Sequence, residues 1–281
     1  MTDPGVLIGP DELAQQLRSS YSPVLADVRW TLGGPSGRSG YEAGHLPGAQ
    51  WVDLEEDLSA PPGPGGRHPL PAADTFAAAM SRIGLRDGSV VVYDAGNSQA
   101  AARLWWLLTD AGHDRVRVLD GGFAAWRAAG LPVESGPGQP VAAGDFVAAP
   151  GHRAQLTGPE IAALLESGRP PRLVDVRAPE RYSGEAELID PVAGHIPGAV
   201  NLPSTANLEP DGRFLPPATI AARYADAQLD SGAVLYCGSG VTAAHSLLAL
   251  ESAGLTAAIY PGSWSDWITD PERPVATGGA P

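Results

Sequence analysis

The stretch LYCGSGVTAAHSLLAL, residues 235–250, decides how this chain is read. Its apolar start, with Ala233 and Val234 before it, fits a short buried strand, and residues 243–250 fit a helix. Between them Gly238, Ser239 and Gly240 are small enough for a tight turn. A strand–turn–helix unit aims backbone N–H groups, and the positive end of a helix dipole, at whatever the turn holds. Here the turn holds Cys237, the single cysteine of the chain. Such a cradle favours the thiolate, which is the nucleophilic form. Most lone cysteines are small buried hydrophobes. The position between a strand and Gly-Ser-Gly argues instead for chemistry.

Outward from this loop the chain repeats itself. Leu173-Val174-Asp175-Val176-Arg177 echoes Leu25-Ala26-Asp27-Val28-Arg29, and Gly194-His195-Ile196-Pro197-Gly198-Ala199 echoes Gly44-His45-Leu46-Pro47-Gly48-Ala49. The strand before Cys237 echoes Val90-Val91-Val92-Tyr93 before Asp94, and YPGSWSDW from Tyr260 echoes LDGGFAAW from Leu119. Four blocks in the same order, at offsets between 141 and 150, mark a tandem duplication. Short apolar strands alternate with helical patterns over 10–18, 73–83, 100–110 and 123–129, then 159–166, 220–227, 243–253 and 264–268. The expected class is α/β: two tandem domains, each a parallel sheet flanked by helices on both faces. The expected division is an inactive first domain over 1–134, a linker over 135–153 and a catalytic domain over 154–281. Phe146 and Val147 in that linker could dock on a domain surface, and the Pro/Gly-rich residues 61–71 read as a surface loop of the first domain. Ligands of such sheets bind beyond the carboxyl ends of the strands, where Asp94 and Cys237 both fall. A carboxylate cannot act as a sulfur nucleophile, so one copy carries the chemistry.

Composition narrows the classes further. The net charge is -14, from 32 acidic and 18 basic residues, which disfavours nucleic acid as a partner. Every basic residue is arginine, so Schiff-base catalysis by lysine is excluded. The histidines and the one cysteine show no metal-ligand spacing, and neither a metal nor another cofactor is expected. No apolar run is long enough for a membrane span, and the first residues lack a signal-peptide pattern. With no internal disulfide open to one cysteine, the expected location is the cytoplasm, and the expected state a monomer.

The blocks DVRW, GHLPGA, VYD, LDGG, DVR, GHIPGAVN, CGSGVTA and PGSW resemble, in content and order, the two-domain rhodanese family of sulfurtransferases. The resemblance covers nearly the whole chain and looks like actinobacterial thiosulfate or 3-mercaptopyruvate sulfurtransferases. It implies a catalytic second domain in which Cys237 takes sulfur as a persulfide and passes it to a small thiol, thioredoxin or cyanide. Within the family, loops like CRKGVTA accompany thiosulfate and loops like CGSGVTA accompany 3-mercaptopyruvate. Thiosulfate is a dianion that cationic loop residues help to hold, whereas Gly238 and Ser239 carry no charge. The favoured reading is 3-mercaptopyruvate; a thiosulfate:cyanide sulfurtransferase and a sulfur carrier or binding module without turnover are the alternatives. A phosphatase loop of the related Cys-x5-Arg type is excluded, because Ala243 stands where the arginine would be.

The resemblance also assigns roles. Ser239 would relay a proton or polarise the donor's ketone, and Arg181 would grip its carboxylate. Some mercaptopyruvate enzymes carry a second arginine soon after the first, but residues 184–190 hold none and are acidic. The amides of Gly238, Gly240, Val241 and Thr242 would support the thiolate and persulfide, with Thr242 also a candidate helix cap. His45 is the candidate first-domain contributor to a serine-centred relay, though both it and His195 could equally be structural. Asp27, Arg29, Asp175 and Arg177 read as strand-end ion pairs bracing loops, and Trp30 and Trp264 as core or cleft-wall aromatics.

Overall fold

A computed structural model describes residues 5–19, 22–229 and 232–279. The chain divides into two compact units. The first comprises Met1–Ser59, Pro71–Arg153 and Leu208–Phe214; the second comprises Ala60–Leu70, Ala154–Asn207 and Leu215–Pro281.

In the first unit five short strands, β1 (Leu7–Ile8), β2 (Val24–Asp27), β3 (Gln50–Trp51), β4 (Val90–Tyr93) and β5 (Val116–Leu119), form one sheet in the order β1-β5-β4-β2-β3. Every pairing is parallel. The helices are α1 (Pro10–Gln16), α2 (Arg38–Ala43), α3 (Leu54–Asp57), α4 (Ala73–Arg82), α5 (Gln99–Asp110) and α6 (Gly122–Ala128). The central β4 is buried at all four positions, as a parallel strand covered on both faces must be. The second unit repeats the plan with β6 (Arg172–Asp175), β7 (Val200–Asn201), β8 (Ala233–Tyr236) and β9 (Ala258–Ile259), all parallel, in the order β7-β6-β8-β9. Its helices are α7 (Gly158–Glu166), α8 (Pro179–Ser183), α9 (Pro217–Asp226), α10 (Val241–Ser252) and α11 (Ser263–Trp267), with a 3-10 turn at Ser204–Asn207. The fifth strand is reduced here to a single bridge, Gln155 with Ile259.

The same braces recur in both units. Asp27 and Asp175 sit fully buried at the ends of β2 and β6, each gripped by the arginine two residues on. Arg29 reaches on to the Gly44 carbonyl at 2.5 Å and Arg177 to the Gly194 carbonyl at 2.6 Å. In the glycine–histidine loops, the His45 and His195 Nδ1–H groups donate to the Tyr41 and Tyr182 carbonyls, both at 2.8 Å. Each imidazole also stacks on that tyrosine, at 4.0 and 3.8 Å between centroids. The Tyr93 and Tyr236 hydroxyls, on the strands before Asp94 and Cys237, accept the amides of Leu46 and Ile196. The loops are thereby tied to the central strands.

One segment belongs elsewhere than expected. Residues 60–70 pack with the second unit: Arg67 N–H donates to Ser265 Oγ at 3.0 Å and Thr269 Oγ1 to the Pro64 carbonyl at 3.3 Å. Residues 135–153 lie along the first unit, with Gly144 N–H on the Ser81 carbonyl and Phe146 edge-on to Phe76 at 5.9 Å. Val147 beside it is exposed. Trp264 and its partner Trp267 are fully buried in the second core, so Trp264 is packing rather than a cleft wall.

Removing one member of a buried, hydrogen-bonded ion pair strands the other charge. Asp27→Ala is expected to destabilise the first unit by about 3–5 kcal/mol, read by urea denaturation followed by circular dichroism.

Candidate active site

Strand β8 delivers Cys237 to the carboxyl end of the second sheet, next to the first turn of α10. The thiol is buried and free. The turn closes through Gly240, whose φ of 81° is left-handed and whose N–H donates to Cys237 Sγ at 3.1 Å. A Cβ there would meet the Pro261 carbonyl at 2.1 Å, so only glycine fits. Gly240 is itself the N-cap of α10, and no side chain caps this end. Thr242 is therefore a first-turn residue and not the cap. Val241, at the helix start, is buried.

Beneath the sulfur lies Ser263. Its hydroxyl accepts the Cys237 N–H at 3.1 Å, donates to the Tyr260 carbonyl at 2.9 Å and stands 3.9 Å from Sγ. Ser263 holds a φ of 56°, a conformation that costs a non-glycine residue on the order of 1–2 kcal/mol. Its counterpart in the first unit is Gly122, at φ 55°. The second unit keeps a side chain where strain argues for glycine, and the hydroxyl under the thiol is what it gains.

The counterpart of Cys237 shows what such a cradle holds. Asp94 Oδ1 accepts the amides of Gly96 and Ser98 at 2.9 and 3.0 Å, and Oδ2 accepts those of Ala100 and Ala101 at 3.2 and 3.3 Å. The first unit's turn thus converges four N–H groups on one of its own carboxylates. Burial pushes the Asp94 carboxyl up, and these amides pull it back.

Ser239 Oγ is 2.8 Å from His68 Nδ1. The imidazole beside the serine is therefore His68, from residues 60–70 of the same unit, and not His45, which is engaged with Tyr41 in the first. Two guanidinium groups face Gly238. A Cβ on that glycine would lie 2.8 Å from Arg67 Nη2 and 3.4 Å from Arg181 Nη1. Both arginines are anchored by carboxylates from the acidic stretch after α8. Arg181 binds Glu187 at 2.9 Å and Asp190 at 2.8 Å, and Arg67 binds the other oxygen of Asp190. Burial raises the Asp190 carboxyl, against the pull of Arg67 and Arg181. In Glu187 the hydrogen bonds from Arg181 and from the Asp190 and Ile189 amides outweigh burial, and its carboxyl is lowered. Arg67 Nε is buried with no acceptor among the described residues.

Cys237, Gly238, Ser239 and Gly240 thus share one turn, and Arg181, which the family resemblance pointed to, lies beside it. Arg67, His68, Glu187, Asp190 and Ser263 join them without having been singled out. Only Ser263 had a readable signal, as the one residue where PGSW departs from the glycine of its twin. The arrangement offers a thiol over an amide and a hydroxyl, a serine–imidazole pair beside it and two cations above the turn. That is equipment for nucleophilic attack on an anionic donor.

Comparison with known proteins agrees. The rhodanese-like domain family matches residues 9–129 and 157–270, once over each repeat. A Pseudomonas aeruginosa protein named as a 3-mercaptopyruvate sulfurtransferase is 48% identical, across 94% of this chain and 97% of its own. A Mycobacterium tuberculosis protein, SseB, named for thiosulfate sulfurtransferase activity, is 45% identical across 98% of both. The crystal structure of the 3-mercaptopyruvate sulfurtransferase SseA from Escherichia coli superposes with a TM-score of 0.80 at 31% identity, covering 93% of this chain and 99% of that one. With both repeats matched and close relatives aligned end to end, the chain belongs to the rhodanese family and is a two-domain sulfurtransferase.

Proposed function

We propose that the protein takes sulfur from 3-mercaptopyruvate onto Cys237 and passes it to a thiol such as thioredoxin or a small dithiol, or to cyanide. The observation that carries this choice of donor is the Ser239–His68 hydrogen bond, 2.8 Å long, on the turn that holds the cysteine. Thiosulfate releases sulfite, a weak base that leaves without a proton. Mercaptopyruvate releases the enolate of pyruvate, a much stronger base, whose departure gains from a nearby acid. A serine hydroxyl backed by an imidazole supplies one.

The Cys237 thiolate attacks the donor sulfur. A sulfur–sulfur bond forms, the carbon–sulfur bond breaks, and its electron pair passes to the carbon as the enolate. Ser239 gives its proton to that carbon and recovers one from His68. The persulfide left on Cys237 is supported by the Gly240 N–H. An acceptor thiolate then attacks the outer sulfur, and the Cys237 thiolate leaves. Arg181 and Arg67, whose Nη1 and Nη2 atoms lie nearest Gly238, hold the donor carboxylate. The two arginines also favour a second reading, thiosulfate as donor, since they provide beside the turn the cations that Gly238 and Ser239 lack. A thiol that must stay reduced to act fits the cytoplasm, and no helix among the described residues is long and apolar enough to cross a membrane. The protein acts as a monomer in this reading.

Cys237→Ser is expected to abolish turnover, and mass spectrometry after donor treatment should then find no added sulfur atom; full activity in this variant refutes the mechanism. Arg181→Ala is expected to raise KM for mercaptopyruvate about ten- to hundredfold, the worth of charge-assisted hydrogen bonds to a carboxylate. Unchanged kinetics would remove Arg181 from the site. Ser239→Ala is expected to lower kcat with mercaptopyruvate by about 10²-fold, as loss of a general acid does, while sparing thiosulfate. Equal losses with both donors would argue against the proton relay, and persulfide formation without turnover of either donor would mark a carrier.

A further inference from the structure

Arg67 and Arg181 meet at one carboxylate. Asp190 gives one oxygen to each, and its side chain is almost wholly buried, 2% exposed. Glu187, equally buried, binds Arg181 and also reaches Arg177 at 3.5 Å, which in turn grips Asp175. Three guanidiniums and three carboxylates therefore form one connected cluster whose charges sum to zero. The anchoring atoms are Arg67 Nη1 and Arg181 Nη2, whereas Arg67 Nη2 and Arg181 Nη1 face Gly238. The donors aimed at the ligand belong to cations already neutralised from behind.

A neutral cluster still offers hydrogen bonds to any oxyanion, but its net attraction for a second negative charge is small. Charge interactions at a partly buried site are several-fold stronger than in water, so a single buried carboxylate weighs on this balance. We propose that Asp190 is a specificity-determining residue that cancels one positive charge of the donor seat and so disfavours dianions such as thiosulfate relative to monoanions such as mercaptopyruvate. It selects by excluding the competitor, not by touching the substrate. The proposal rests on the reading of this site as the seat of an anionic sulfur donor.

The test is Asp190→Asn, a near-isostere that keeps an acceptor oxygen for one of the two arginines and removes the charge. With cyanide as acceptor, the ratio of kcat/KM for thiosulfate to that for mercaptopyruvate is expected to rise at least tenfold, through a gain with thiosulfate. Sulfate, used as a non-reacting dianion, should bind at least tenfold tighter by calorimetry, with a smaller change for pyruvate. Asp190→Glu should return the ratio toward the parent value. A ratio and a sulfate affinity that stay as in the parent overturn the proposal, as does a fall with both donors that leaves the ratio intact. If Asp190→Asn does not fold, Glu187→Gln removes the same charge from the same cluster and carries the same expectation. Should the parent protein prefer thiosulfate, the proposed donor is wrong while the ratio still tests Asp190. Should it turn over neither donor, sulfate binding alone decides.

Discussion

The site depends on a turn that closes only because no side chain stands at Gly240. The Pro261 carbonyl fills the space a Cβ would need, and the left-handed backbone there folds the amide back onto Cys237 Sγ. The rest of the second unit supports this closure. The Trp264 amide holds the Cys237 carbonyl at 2.9 Å and the Ser265 amide holds the Gly238 carbonyl at 2.8 Å. The Tyr236 hydroxyl, one residue before the cysteine, ties in the loop at Ile196. Rigidity of this kind is what lets a buried thiol meet its amide and hydroxyl at hydrogen-bonding distance before any donor arrives.

The duplication makes the chemistry of the turn visible. In the first unit the Phe123 and Ala124 amides hold the Asp94 and Ala95 carbonyls at 2.9 and 3.1 Å, the same two contacts in the same places. The turn is filled there by a carboxylate from its own strand end, so its amides are permanently satisfied. In the second unit the equivalent position carries a thiol, which can be charged, extended by one sulfur and returned. One architecture thus serves as a closed structural element in one copy and as a working site in the other. The differences that carry the chemistry include Asp94 against Cys237, Gly96 against Ser239 and Gly122 against Ser263.

The architecture was legible because its signals are local and repeated. Alternating apolar runs located β2, β4, β6 and β8, and the paired blocks located the turns that follow β4 and β8. Helices α2, α3 and α8, of four to six residues, were passed over because, unlike the equally short α11, they lie in no repeated block that marks them. Cys237 and Gly240 were legible because they lie in the turn between a paired strand and helix, whereas Arg181 and the role of Ser239 came through the family resemblance. His68 and Arg67 were not, because nothing in PPGPGGRHPLP reveals that the segment packs against Ser265 and Thr269, some 200 residues later. His45 drew attention for its motif, but the repeat itself held the answer: His195 makes the same carbonyl bond and the same stack. Residues 184–190 read simply as acidic, and only three-dimensional contact shows those acids anchoring the arginines.

A consequence follows from the exclusive use of arginine for positive charge. A guanidinium keeps its proton at any pH a folded protein survives, unlike an ammonium, which can lose it under alkaline conditions. The groups facing Gly238 are both of this kind. Holding an anionic donor thus falls to planar guanidinium forks, whose paired N–H groups match the two oxygens of a carboxylate.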